Sequence, residues 1–208
     1  MKTKIFSTVN DQSACVEWYK VKAGNSVRVE PCWYQSDGGL CMSMSLIWMK
    51  KSIATKGGGI DSAEQLGSPH LTAIVHGAYR KMIVPLTELK HEIDVITRMF
   101  IIQSLEPGES MSGSGYFDPA GIVDWVLKEP CHCLFSFGVP LGSFNGARHG
   151  IGMRYENQLM QMYDPNEGLF QYSDAESFKE HMEEVCYQNY VHCLGGEWAI
   201  LKGKSALD

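Results

Sequence analysis

The sequence predicts an α+β fold in which helices come first along the chain and an antiparallel β-sheet follows. Apolar residues recur at helical spacing between residues 40 and 127. Between residues 133 and 201 the pattern changes to short apolar or alternating runs bounded by turn residues, which is typical of strands. The chain has 208 residues, of which 44% are hydrophobic, and this suits one domain over residues 1–208 with a substantial core.

The elements of the first half follow from breaks in this pattern. Residues 16–30, "VEWYKVKAGNSVRVE", alternate around a Gly-Asn turn and predict a hairpin. Residues 107–115, "PGESMSGSG", have the composition of a mobile loop. Helices are predicted to begin near Leu40 or Cys41, at Ser68-Pro69, at Thr87, and at Asp118-Pro119, the last ending near Leu127.

The second half predicts strands with one helix among them. Ser173 and Glu176 have capping-box spacing and predict a helix over roughly residues 174–188. The predicted strands are "CLFSFGV" (133–139), "HGIGMRY" (149–155), "QLMQMYD" (158–164) and "EWAIL" (197–201).

Charge and hydropathy argue against several classes of protein. The chain has 18 Lys and Arg against 24 Asp and Glu, so a nucleic-acid or anionic-membrane surface, which needs excess basic residues, is not predicted. No apolar run approaches the ~20 residues of a membrane span. The N-terminus, "MKTKIFSTVNDQ", lacks the ~7–15-residue apolar core of a secretory signal. Seven cysteines in such a chain favour a reducing cytosol over a disulfide scaffold.

The segment "RHGIGMRYENQLMQMYD", residues 148–164, predicts a β-hairpin with a histidine–aspartate pair. With the turn centred between Glu156 and Asn157, His149 faces Asp164, and facing residues point to the same side of a sheet. A carboxylate beside an imidazole fixes its tautomer and stabilises its cation, so Asp164 is expected to orient His149. The same face carries four apolar residues, Ile151, Met153, Met160 and Met162.

The nucleophile expected for this imidazole is Cys41, in "GGLCMSMSLIWMKKS" (38–52). In the first turn of a helix, the dipole and the free N–H groups favour a thiolate. Met44 and Trp48 share the side of Cys41 and are expected to pack on the Met-rich face of the hairpin. Gln35, six residues before Cys41, is a candidate oxyanion-hole donor together with the backbone N–H of Cys41.

Three segments, "GGLCMSMSLIW", "RHGIGM" and "MYDPNEGLF", resemble the active-site motifs of papain-like cysteine peptidases. They are more closely similar to those of the YopT/AvrPphB family of bacterial effector proteases in the order Cys, His, Asp, in the spacing and in the Asp-Pro-Asn context. The resemblance implies a papain-like fold whose helical N-terminal part carries the nucleophile and packs on a C-terminal antiparallel sheet. It also implies a catalytic triad of Cys41, His149 and Asp164, with Gln35 carried over from the wider papain pattern.

The resemblance further implies a bacterial effector or toxin with thiol protease activity that acts on a protein or peptide of a host or competitor. Such a protein would be made in the bacterial cytoplasm without a signal peptide and exported by a specialised secretion system. A cognate chaperone or immunity protein would be a further partner. No cofactor is implied, and "CHC" (131–133) and "VHC" (191–193) lack the usual spacing of zinc ligands.

The same triad supports other chemistry, so three alternatives stay open at the level of sequence. One is a glutamine deamidase, in which water resolves a thioester formed from a side-chain amide. Another is an amidase or endopeptidase that acts on cell-wall peptides. The third is a non-catalytic binding module that keeps the fold.

Overall fold

The computed structural model describes residues 1–8, 39–67, 71, 75, 91–138 and 148–205. These residues contain seven strands: β1 Lys2–Ser7, β2 Leu105–Ser114, β3 Cys131–Gly138, β4 Arg148–Glu156, β5 Leu159–Asp164, β6 Gly168–Tyr172 and β7 Glu197–Ser205. All neighbouring strands pair antiparallel, in the order β1-β6-β5-β4-β3-β7-β2.

Helices cover both faces of this sheet. The longer ones are α1 Gly39–Ala54, α2 Glu92–Ile102, α3 Pro119–Val126 and α4 Ala175–Glu184. Apolar residues of α1 and α2 form one buried cluster with one face of the sheet, and those of α3 and α4 form a second cluster with the other face. The predicted mixture of helices and an antiparallel sheet is therefore confirmed. No helix in the described segments is long and apolar enough to cross a membrane.

Local capping explains where two helices begin. Asp118 precedes α3 and accepts a hydrogen bond from the N–H of Ala120 at 3.1 Å, with Pro119 in the first helical position, as the sequence predicts. For α4 the cap is Asp174, which accepts from the N–H of Ser177 at 2.8 Å. The predicted N-cap, Ser173, is therefore wrong by one residue, because the carboxylate of Asp174 accepts the capping hydrogen bond instead.

The order of elements differs from the prediction of helices followed by strands. Strand β1 comes before the described helices, strand β2 lies between α2 and α3, and these two strands form the two ends of the sheet. The predicted loop at 107–115 falls mostly within β2, which pairs with β7 and has a bulge between Pro107 and Ser110. The predicted hairpin at 16–30 and the helix start at Thr87 lie outside the described residues.

Two glycines determine which face of the sheet α1 covers. A Cβ atom at Gly150 would clash with the side chain of Met42, and one at Gly152 would clash with the indole of Trp48. Trp48 also stacks on Tyr163, with ring centroids 5.6 Å apart. Helix α1 thus packs on the glycine face of β4. The expectation that Met44 and Trp48 cover the Met-rich face is wrong. Because Gly150 and Gly152 have no side chains, the helix approaches the opposite face of the strand closely.

Candidate active site

Cys41 lies in the first turn of α1 and is completely buried. Its Sγ atom is 3.9 Å from the backbone carbonyl oxygen of Arg148, the residue that precedes His149. The start of α1 is thus anchored at the beginning of β4. The Cys41 thiol therefore stands at a helix N-terminus, where the helix dipole stabilises negative charge.

His149 is the second residue of β4, and Asp164 is the last residue of β5. The Nε2 atom of His149 lies 3.1 Å from Oδ1 of Asp164, and both side chains are buried. The predicted contact between these two residues is therefore confirmed. An N–H at Nε2 donates to the carboxylate in this geometry, and Nδ1 is then the basic nitrogen of the neutral ring.

The hairpin register differs from the prediction. Met153 pairs with Met162 and Glu156 with Leu159, so the turn residues are Asn157 and Gln158, both with positive φ. The predicted turn is displaced by one residue, which shifts the pairing by two. A shift of two residues keeps every side chain on its face of the sheet. His149 and Asp164 therefore still meet, although they are not directly opposite each other.

The Met-rich face of the hairpin packs away from α1, the helix of Cys41. Ile151, Met153 and Met162 are buried in the cluster that includes α3 and α4, while Met160 is partly buried at its border. The prediction that these residues lie under the helix of Cys41 is wrong. His149 shares their face but stands at the start of β4, near the open end of the sheet where α1 begins.

Tyr190 covers the imidazole and joins its hydrogen-bond network. Its ring stacks on His149 with centroids 3.8 Å apart and planes at 17°. Its hydroxyl donates to Oδ1 of Asp164 at 3.1 Å and accepts from Nδ2 of Asn166 at 2.6 Å. The backbone N–H of Asn166 donates to the same carboxylate oxygen at 2.9 Å. The sequence prediction missed Tyr190, because it follows a π-helical segment (Val185–Asn189) whose local pattern carries no sign of the site.

Electrostatics around Asp164 favour its ionised form. Burial alone would raise the pKa of Asp164, but the charge and hydrogen bond of His149 and the N–H of Asn166 hold that pKa below its usual range. Burial raises the pKa of Tyr190, and the neighbouring charges of Asp164 and of an ionised Cys41 add to the effect. Tyr190 is therefore a neutral hydrogen-bond donor at physiological pH, and the Cys41 sulfur lies within electrostatic reach of it.

A buried ion pair fixes the residue before His149. Arg148 is paired with Glu92, the first residue of α2, and both side chains are almost fully buried. The hydroxyl of Ser136 also donates to the Glu92 carboxylate. The carboxylate of Glu197 accepts from the backbone N–H of Glu92 at 3.1 Å. The start of α2 is thereby connected to the strand that carries His149.

The remaining sequence predictions concern residues outside this cluster. Gln35 lies outside the described residues, so its role as an oxyanion donor stays a prediction. His132 is buried and its Nε2 lies 2.9 Å from the Ser52 hydroxyl, away from the candidate triad. Among the described residues, no group of three His, Cys, Asp or Glu side chains is arranged to hold a metal ion.

Comparison with known proteins gives a likeness of fold. The sequence matches no family model, and it matches no curated protein sequence. The structure is similar to the crystal structure of the Pseudomonas avirulence protein AvrPphB, with a TM-score of 0.61 over 79% of this chain and 91% of that chain. The two sequences are 14% identical over this alignment. The chain therefore has an AvrPphB-like fold.

Proposed function

We propose that the chain is a cysteine hydrolase, a peptidase, that uses Cys41, His149 and Asp164 as its catalytic triad. The observation that carries the proposal is the hydrogen bond between His149 and Asp164 at the strand start where the Cys41 thiol is anchored. The AvrPphB-like fold supports it, because AvrPphB gives its name to the effector protease family that the sequence motifs resemble.

The mechanism follows from the nitrogen that Asp164 engages. With Nε2 held by the carboxylate, Nδ1 of His149 takes the thiol proton, and the Cys41 thiolate attacks the substrate carbonyl carbon. The imidazolium then protonates the leaving amine, and a thioester remains. Water, deprotonated by His149, hydrolyses the thioester and regenerates the thiol. The N–H of Cys41 and the Gln35 side chain are the proposed donors to the oxyanion.

The complete burial of Cys41 adds a requirement to this mechanism. A substrate carbonyl must come within van der Waals distance of Sγ, whereas the structure leaves that atom no contact with solvent. Catalysis therefore includes an opening step that exposes the thiol before the chemical step. Alkylation of Cys41 by iodoacetamide needs this opening and the thiolate form together, so its rate in the folded protein reports both.

The biological setting of the proposal is a bacterial effector that acts on a host or competitor protein. In this setting the chain is exported by a specialised secretion system, with a cognate chaperone or immunity protein as partner. The support is the likeness of fold to an avirulence protein together with the motif resemblance.

The test is mass spectrometry of target-cell proteins and cell wall after exposure to the wild type and to Cys41→Ala. Two fragments of a target indicate proteolysis, a gain of about 1 Da indicates deamidation of a glutamine side chain, and released muropeptides indicate cell-wall hydrolysis.

We expect new protein fragments with the wild type and none with Cys41→Ala or His149→Ala, because the thiolate–imidazolium pair needs both members. Asp164→Ala should retain a residual rate, since an orienting group is partly replaceable. Unchanged cleavage by a folded Cys41→Ala variant would show that Cys41 is not the nucleophile.

A further inference from the structure

The second half of β2 is an open edge of the sheet. Residues Ser110 to Ser114 pair in an unbroken register with Leu201 to Glu197 of β7, and no strand of the described residues pairs with β2 on its outer side. The side chains of Ser110, Ser112 and Ser114 are exposed. An open edge presents unpaired N–H and C=O groups, which are a template for pairing with another strand.

The two end strands of the sheet differ in how they are protected against such pairing. Lysines, prolines and bulges on an edge strand discourage it. At one end of the sheet, β1 has Lys2, Lys4 and a bulge. In β2, Pro107 and the bulge that follows it protect only the first half. The stretch from Ser110 to Ser114 contains no charge and no proline, so it is the unprotected part of the edge.

The backbone groups of the three serines point to the open side. The N–H of Gly115 donates to the carbonyl oxygen of Gly196 at 2.7 Å, which makes position 115 a hydrogen-bonded position of the ladder between β2 and β7. Hydrogen-bonded and non-hydrogen-bonded positions alternate along antiparallel strands. Positions 113 and 111 therefore bond to β7 as well. The N–H and C=O groups of positions 110, 112 and 114 are directed away from β7.

A second copy of the same stretch fits this edge in an antiparallel register centred on Ser112. In that register Ser112 faces its own counterpart, and Ser110 faces Ser114 of the second copy. All of these positions direct their backbone groups outward on both strands, so about six backbone hydrogen bonds form. The nearest acidic residue, Glu109, faces Gly115 of the second copy, so no like charges oppose each other across the pair.

The side chains of this register are complementary in size. Met111 faces Gly113 of the second copy at a non-hydrogen-bonded position, where Cα atoms are about 4.5 Å apart. Gly113 also pairs with Trp198, and a Cβ atom at position 113 would lie 2.7 Å from Cζ2 of that indole. Because the glycine has no side chain, Met111 of the second copy lies beside the indole, and contacts between a thioether and an aromatic ring are favourable. The two-fold symmetry forms this contact twice.

We propose that the chain forms a dimer in which β2 pairs with β2 of a second copy, over Ser110 to Ser114, and joins the two sheets. The proposal is independent of the proposed peptidase function. A contact based on five residues of each strand is at the low end of protein interfaces, below about 1,200 Å², so the dimer is weak and reversible. The self-complementary register and the uncharged edge favour a second copy over a strand of another protein.

The first test is sedimentation velocity of the full chain from about 1 to 500 µM, where a weak dimer becomes populated. Ser112→Pro removes an N–H that points away from β7, so the fold tolerates it. Ser112→Lys places two ammonium groups opposite each other. We expect each change to weaken association by about tenfold or more, because two hydrogen bonds or a favourable pairing are lost. Thr3→Lys, which adds the same charge to the exposed surface of β1, is the matched control and leaves association unchanged.

A chain that stays monomeric over this range overturns the proposal and leaves the edge for a strand of another protein. Association that is unchanged in either Ser112 variant overturns it too, because the dimer then uses another surface.

The second test determines the register by disulfide trapping with diamide, followed by mass spectrometry of the linked peptides. Ser112→Cys should crosslink to itself, since the two Cα atoms are about 5.5 Å apart in the proposed pair. Ser110→Cys is the matched control. It should not crosslink to itself, because its counterpart is offset by about 13 Å along the strand, but it should crosslink to Ser114→Cys when the two variants are mixed. Self-crosslinking of Ser110→Cys as readily as of Ser112→Cys overturns the register.

Discussion

Tyr190 lies flat against the imidazole of His149, 3.8 Å from ring centroid to ring centroid, and its hydroxyl reaches the carboxylate that orients that imidazole. One side chain thus limits the rotation of His149 and shields the hydrogen bond between His149 and Asp164 from water. Tyr190 is therefore a positioning residue for the proposed catalytic pair.

Substitution of Tyr190 separates its two contributions. Tyr190→Phe keeps the stacked ring and removes the hydroxyl, so we expect the rate constant for Cys41 alkylation to fall about 3–10-fold, the equivalent of one hydrogen bond. Tyr190→Leu loses the stacked ring as well and should fall further. Mass spectrometry of the Cys41 peptide across a range of pH gives the rates. Tyr187→Phe is the control, since Tyr187 is half exposed and its hydroxyl contacts only the Phe117 carbonyl at 3.4 Å among the contacts described. An unchanged pH profile in Tyr190→Phe would show that the hydroxyl does not act on the site.

The glycine face of β4 predicts a strong effect of a single methyl group. Gly152→Ala places Cβ against the rigid, fully buried indole of Trp48, and overpacking of this kind destabilises by about 1–3 kcal/mol. Gly58→Ala is the matched control, because its Cβ would have ordinary contacts of 3.5 Å or more. Urea unfolding should separate the two variants. Equal stability would mean that α1 is not held as closely to β4 as the structure shows.

Two buried histidines predict loss of stability in mild acid. Burial, with the Arg154 charge, lowers the pKa of His132 to about 3, and burial, with the Lys2 charge, lowers the pKa of His181 to about 4. Below the unfolded pKa of about 6.5 the unfolded chain binds protons that the folded chain does not, so stability falls as the pH decreases from 6.5 toward 4. At pH 5 the loss is about 2 kcal/mol for each histidine.

The urea midpoint measured at pH 7.5 and at pH 5.0 checks this prediction. His181→Gln should remove roughly half of the pH-dependent loss, because glutamine does not titrate and its oxygen can still accept from the Tyr172 hydroxyl. The same loss in the variant and in the wild type would mean that other groups cause the acid sensitivity.

The ion pair between Glu92 and Arg148 predicts a strong asymmetry between single and double substitutions. Glu92→Gln leaves a buried guanidinium without its charge partner and should cost about 3–5 kcal/mol of unfolding free energy. Replacing both residues by methionine removes both charges and should cost much less than the sum of the single changes. A double-mutant cycle by urea unfolding measures the coupling. Additive single effects would contradict a direct interaction.

The sequence allowed a correct prediction wherever a local pattern coincided with the tertiary contact. The start of α1 near Cys41, the Asp118-Pro119 helix start and the meeting of His149 with Asp164 all depend on short-range chemistry or on strand alternation. The predicted contact between His149 and Asp164 is found despite an error in the turn position, because a two-residue shift leaves each side chain on the same face of the sheet. Alternation determines the face of a residue more firmly than it determines its partner.

The errors came from contacts that no local pattern records. Residues 107–115 contain Pro, Gly and Ser and are mostly exposed, so they give no apolar alternation, yet their backbone pairs with β7 at the end of the sheet. The face that α1 covers depends on two absent side chains, Gly150 and Gly152, and a hydrophobicity pattern favours the Met-rich face instead. Tyr190 reaches Asp164 across 26 residues of chain.

The pairing of β1 with β6 has a consequence for how the chain folds. Lys2 is the partner of Tyr172 in the sheet, so this part of the chain leaves the ribosome long before the strand with which it pairs. Contacts at such separations slow folding, because the loop must close before the pairing gains any free energy. Cys41 likewise acquires its contact beside His149 only after more than 100 further residues have been made. A nascent chain therefore carries the Cys41 thiol long before His149 is made, and the cell that produces the protein is exposed to the assembled candidate site only after β4 and β5 have joined the sheet.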